Sequence, residues 1–222
     1  MTRTYTVSEL ITKVRLRGHF DESTFVTDEA LIDFIDSANA ELHDLLVTKW
    51  EDYYTKEATF TLTSGEDSYV LPNDFQKLLG VDIKLGGRWV RLFRYENSER
   101  THFQDGLINF RGETYRYRLR ENAIKFIPTP NSTDTIRLTY IRHANKITSS
   151  SDTVEGFNGW EELIVLFALR RCGSREGTRL TEIDQEIARQ VRRIEIAADA
   201  RDAGEPESLQ DYRSRDYWEG YR

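Results

Sequence analysis

Only one cysteine, Cys172, and four prolines occur in 222 residues, and no long uninterrupted apolar run is present. The lone thiol excludes an internal disulfide and any multi-cysteine zinc site, which fits a reducing compartment. No segment approaches the roughly 18 apolar residues that span a bilayer. The opening "MTRTYTVSEL" lacks the apolar region of a signal peptide, so a soluble cytosolic product is expected. Hydrophobic residues make up only 38% and mean hydropathy is -0.63, which points to an elongated or subunit-dependent fold rather than an oily globule. Net charge is -7, so the global field does not gather DNA or anionic lipid, although a local basic patch is compatible with it.

What is present is a change of period along the chain. Thr6-Val7-Ser8-Glu9 has the form of a capping box before Leu10, Ile11, Val14 and Leu16, a short helix that Gly18 is expected to stop. Thr27 can cap a second helix, with Asp28 and Glu29 on its positive end. Its stripe is Leu31, Ile35, Ala38, Leu42, Leu45 and Leu46, ending near Val47. From Lys56 the period becomes two, in "ATFTLT", "VDIKL", "RWVRLF", "YRYRL", "AIKFIP" and "TIRLTYI". Gly86-Gly87 reads as a two-residue hairpin turn, and a second turn is expected at Glu121-Asn122. Helical spacing then returns. Asn158 and Glu161 cap Trp160, Leu163, Ile164, Phe167 and Ala168 up to Gly173. The last stripe is Leu180, Ile183, Ile187, Val191, Ile194 and Ala198.

The predicted class is α+β. N- and C-terminal helix pairs form a four-helix bundle, with an inserted antiparallel β-sandwich or small barrel and an extended C-terminal tail. The expected boundaries are 1-54 with 156-203 for the bundle, 55-155 for the insertion and 204-222 for the tail.

Catalytic and cofactor chemistry has little support. His19, His43, His102 and His143 are scattered without metal-ligand spacing and read as single, exposed or half-buried histidines. No phosphate loop, nucleophile elbow or dinucleotide fingerprint occurs. Cys172 lacks a base nearby in the sequence and reads as a small packing residue. No enzyme activity, cofactor or metal is expected.

Two stretches point to interactions. Between Lys84 and Arg120 lie nine Lys or Arg and four acids, the reverse of the whole-chain sign. In "YRYRLR" alternation puts Tyr115, Tyr117 and Leu119 on one face and Arg116, Arg118 and Arg120 on the other. Together with Arg88, Arg91 and Arg94 these could meet phosphate. They equally suit a solvated sheet face or an acidic neighbour, and that plainer reading carries more weight. The terminal "YRSRDYWEGYR" is different. From Glu205 onward there are five acids and three arginines, too negative for a nucleic-acid arm. Tyr212, Tyr217, Trp218 and Tyr221 are too aromatic for a bare linker, and they favour partner docking over packing on their own domain or disorder. Arg213 and Arg215 would be ion-pair partners there.

In succession, "FIDSANAELHDLL", "YVLPNDFQKLLGVDI", "AIKFIPTP" with "TIRLTYI", "GWEELIVLFALRRC" and "RDAGEPES" resemble tailed-phage head-to-tail connector proteins. These are the adaptor or neck proteins that include the tail tubular A type. The resemblance runs from Thr27 to Ser208. It implies a non-enzymatic structural ring, commonly of twelve copies, below the portal protein, facing a tail or nozzle protein and leaving a channel for transient contact with genomic DNA. It implies a bundle with a β-rich insertion and a C-terminal extension reaching into the portal, located in the virion neck after assembly in the host cytoplasm, with no membrane partner. The alternative from the residues is a nucleic-acid-binding packaging factor using the basic β-region.

Overall fold

The computed structural model describes residues 3–20, 26–49, 51–100, 115–156, 159–176 and 181–201, and these form an α+β protein. The described residues belong to two compact units. One lies within Met1–Trp50 and Lys146–Arg222, the other within Glu51–Asn145.

The first unit holds four helices among the described residues: α1 (Val7–Gly18), α2 (Asp28–Lys49), α3 (Glu161–Glu176) and α4 (Thr181–Arg201). The capping box of α1 forms as its sequence predicts. Glu9 N–H donates to Thr6 Oγ1 (3.3 Å), and Thr6 N–H donates to Glu9 Oε2 (2.9 Å). The Thr6 N–H and then its hydroxyl hold the Glu9 carboxyl below the usual range. At the other end His19 turns left-handed (φ 54°) just after Gly18. A Cβ on Gly18 would fall 2.1 Å from the Phe20 ring, so the glycine permits that ring's close approach. Arg15 then spans the connection to α2, donating to Phe20 O (2.9 Å), Val26 O (3.1 Å) and Asp28 Oδ1 (2.7 Å).

Thr27 Oγ1 accepts from Ala30 N–H (3.3 Å), and α2 buries Leu31, Ile35, Ala38, Leu42 and Leu46 on one stripe. Leu45 is only half-buried on its flank. His43, expected exposed or half-buried, is 2% exposed. It follows Leu42 on the side of α2 turned toward the other helices, so its ring is enclosed with the stripe.

α3 packs against α1, α2 and α4, and accordingly buries a nearly continuous run: Leu163, Ile164, Val165, Leu166, Ala168, Leu169 and Cys172. Gly173 does not end it. The helix continues to Glu176, because one interior glycine costs only about 1 kcal/mol against alanine and tertiary packing outweighs that. The proposed cap Asn158 lies outside the described residues. On α4, Ile187 and Ile194 are buried while Ile183 and Val191 are half-covered and Ile196 is 60% exposed.

A two-stranded sheet completes this unit. β1 (Arg3–Thr6) pairs antiparallel with β10 (Thr153–Gly156), continued by Val7 N–H to Asp152 O (2.9 Å) and Ser8 N–H to Ser150 O (3.0 Å). The Asp152 carboxylate closes the preceding turn, with Oδ2 accepting from Thr148 N–H (2.8 Å) and Ser149 N–H (2.9 Å). These two bonds lower its pKa. Residues 146–155, which the expected boundaries placed in the insertion, fall in the unit that holds the helices.

The second unit contains two four-stranded sheets among the described residues. One has the order β2 (Thr55–Thr61), β9 (Thr135–Arg142), β4 (Phe75–Leu85), β5 (Arg88–Arg91). The other has β3 (Ser68–Val70), β8 (Ala123–Ile127), β7 (Arg116–Arg120), β6 (Phe93–Arg94). All pairs are antiparallel except β6 with β7, which run parallel. Purely antiparallel pairing was expected, and the exception arises at Leu92. There the run "RWVRLF" breaks, leaving β5 in one sheet and starting β6 in the other. Leu92 itself is buried, with its N–H on Val81 O (2.8 Å).

A shared core draws Val81, Ile83, Ile136, Leu138 and Tyr140 from the first sheet and Ile124 and Phe126 from the second, joined by Leu62, Leu71, Leu92 and Tyr115. Burying each such aliphatic side chain contributes about 1.5–3 kcal/mol. Phe60, Tyr69 and Phe126 stack and abut within the same core. The turn at Glu121 takes a positive φ (50°) before β8, as its position between two alternating runs predicts.

Candidate functional site

The most chemically distinctive described surface is the edge built by β5 and β6. Gly86 (φ 55°) and Gly87 (φ 84°) form the tight turn that pairs β4 with β5, setting Lys84 opposite Trp89 and Asp82 opposite Arg91. Arg137 on β9 lies opposite Asp82 on the other side and donates to its Oδ2 from Nη2 (2.8 Å) and Nε (3.2 Å). The same guanidinium lies 4.6 Å from the Trp89 ring centre, and Lys84 Nζ lies 5.7 Å from it. Trp89 is thus oriented by two cations while remaining 37% exposed. Val90 and Phe93 are exposed beside it, and Arg91 lies over the Phe93 ring at 5.9 Å.

β6 carries the edge onto the second sheet, where Phe93 faces Arg116 and Arg94 faces Tyr117. Arg94, Glu96, Asn97, Ser98 and Arg118 line an open cleft of about 510 Å³. Arg118 Nη1 donates to Tyr95 O (3.3 Å), which fixes one wall. Burial raises the pKa of the Tyr117 hydroxyl, and the nearby Arg91 and Arg94 partly offset that rise.

The six arginines singled out from sequence therefore do not share one face. Arg88 and Arg91 stand on the outer strand β5 of the first sheet. Arg94 and Arg118 meet in the cleft, Arg116 is half-buried on β7, and Arg120 is exposed at the strand end. Tyr115 is buried, and Tyr117 and Leu119 pack on the core, which is the alternation expected of "YRYRLR". The proposed tail anchors Tyr212, Arg213, Arg215, Tyr217, Trp218 and Tyr221 lie outside the described residues, as does His102.

Sequence reasoning missed a groove of about 410 Å³ between α2 and α3, lined by Phe34, Glu41, Phe167, Arg170, Arg171 and Ser174. Its cations are paired, Arg171 with Glu41 and Arg170 with Asp184 (3.0 Å). Phe167 was assigned to the core stripe, but the arrangement of neighbouring helices leaves it only half-buried, lining this groove. Among the described residues no group of three or more His, Cys, Asp or Glu is placed to hold a metal, and no helix is long and apolar enough to cross a membrane.

The described residues thus make a helical unit and a strand-rich unit with exposed aromatic and basic edges. The chain belongs to the SU10 adaptor protein family, whose model matches residues 5–217, nearly the whole length. This agrees with the resemblance to phage head-to-tail adaptors and supports a structural adaptor role; the family is not an enzyme class. No curated protein matches the chain.

Proposed function

We propose that this protein is a head-to-tail adaptor subunit, twelve copies of which form a ring that joins the portal to the tail around the DNA channel in the virion neck. The observation that carries the reading is the family match across residues 5–217. The helices act as a four-helix bundle scaffold, the strand-rich segment as an inserted sandwich that faces neighbours or the tail, and residues 204–222 as a strap that docks into the portal. Tyr212, Tyr217, Trp218 and Tyr221 are its anchors, with Arg213 and Arg215 as ion-pair partners. Assembly takes place in the host cytoplasm.

A ring built from heterologous contacts lets neighbours cover exposed apolar groups such as Val70, Phe93 and Ile196, which accords with the hydrophilic composition. Deleting Glu205–Arg222 should abolish co-sedimentation with portal rings, and a truncated chain that still binds them normally overturns the docking strap. The alternative, a packaging factor gripping DNA through the arginines of β5 to β7, requires binding at low salt that weakens steeply as salt rises.

A further inference from the structure

We propose that the basic and aromatic edge formed by β5 and β6 is a subunit contact that receives the acidic face of α2 from a second copy of this chain. The inference rests on the assembly reading above and names the surfaces that would carry it.

The edge is open and of one sign. β5 pairs only with β4, and β6 only with β7, among the described residues. From Lys84 to Arg94 there are four basic residues, Lys84, Arg88, Arg91 and Arg94, and no acid. Among the described residues Arg88 and Arg94 form no ion pair, and Trp89, Val90 and Phe93 are exposed between these cations. Arginine with aromatic side chains is the composition of protein contact centres, whereas DNA-binding surfaces are more uniformly polar and positive. Strand addition is disfavoured because a four-residue edge bearing two arginines resists pairing with another strand. Guanidinium groups instead suit carboxylates, which they can bind in a bidentate fork.

The complementary surface is on α2. That helix has six acids against one lysine, and its exposed row runs Glu29, Asp33, Ser37, Ala40 and Asp44. Glu29 and Asp33 form no ion pair among the described residues. The small Ser37 and Ala40 separate Asp33 from Asp44, leaving room for a large ring. In the adjoining groove Phe34 and Phe167 offer apolar contact to Trp89 or Phe93, beside Arg170 and Arg171, which are already paired with Asp184 and Glu41. Because edge and helix are different patches of one chain, the contact is heterologous and propagates from copy to copy.

The test is sedimentation velocity of the full-length chain over a concentration series at low salt, alone and with portal rings. Arg91→Glu with Arg94→Glu, and separately Glu29→Lys with Asp33→Lys, should each weaken self-association by about tenfold or more. Combining all four substitutions should restore it, a rescue that misfolding cannot produce. Both reversals associating like the wild type would overturn the contact while leaving ring formation intact. Loss of binding to a random-sequence DNA duplex with unchanged association would also overturn it, and would assign the edge to nucleic acid. A wild-type chain that never self-associates, even on portal rings, would remove the assembly reading and this contact together.

Discussion

The Asp36 carboxylate on α2 accepts a 2.8 Å hydrogen bond from the backbone N–H of Ile147, a residue 111 positions later. Ile147 is buried, so this bond satisfies a backbone donor that water cannot reach, just where the chain comes back from the strand-rich unit. Asp36→Ala should cost about 1–3 kcal/mol in denaturant unfolding. Asp36→Asn keeps an acceptor oxygen and should cost less. Equal losses for the two variants would show that the bond is not what holds the segment.

A second relationship sets the response to pH. The Tyr140 hydroxyl donates to Asp74 Oδ1 (2.7 Å), while Lys56 Nζ lies 2.7 Å from Oδ2. Burial, then the bond to Asp74 and its charge, push the Tyr140 pKa up to about 12 from 10.0. The neutral hydroxyl is therefore favoured by folding. Its contribution is complete below pH 10 and is lost as pH rises toward 12. Tyr140→Phe should flatten that alkaline decline in stability measured by unfolding across this range. The Asp74 carboxyl shifts the other way, held below its ordinary 3.8 chiefly by the Lys56 hydrogen bond. Its contribution is present above pH 3.8 and disappears as pH falls through the lowered value, so Lys56→Met should reduce acid sensitivity.

Gly18→Ala places a methyl group where the Phe20 ring lies, and the ring must move. The expected cost is about 1–3 kcal/mol, as for other overpacked sites. Combining it with Phe20→Ala should cost less than the two losses added, because the second change removes the clash. Additive losses in thermal unfolding would contradict the contact.

Leu92 is the buried residue at which the chain passes from one sheet to the other. Leu92→Ala should destabilise by about 2–5 kcal/mol. Exchange at the Tyr95 amide, which donates to Tyr117 O, should rise with it. Retained protection there would show that β6 is positioned independently of Leu92.

The helices and the two turns were legible because each has a local cause. The Thr6 and Glu9 side chains cap their own helix, the α2 stripe repeats at 3.6 residues, and Gly86-Gly87 supplies the positive φ a hairpin needs. What escaped is nonlocal. β1 and β10 are four residues each and join positions about 150 apart, so neither shows a period by itself. β3 and β6 are shorter still, and β6 owes its parallel partner to the crossing at Leu92. The basic region was legible as composition but not as shape. Arg88 and Arg91 fall on one sheet, and Arg94 and Arg118 on another, because that crossing divides the run. The burial of His43 likewise depends on neighbouring helices that no local pattern encodes.

Negative-stain imaging of the full-length protein mixed with its portal tests the central claim most directly. The account predicts an added ring of density stacked coaxially on the portal, with an open channel. Portal rings without added density, at protein concentrations where the chain remains folded, would contradict it.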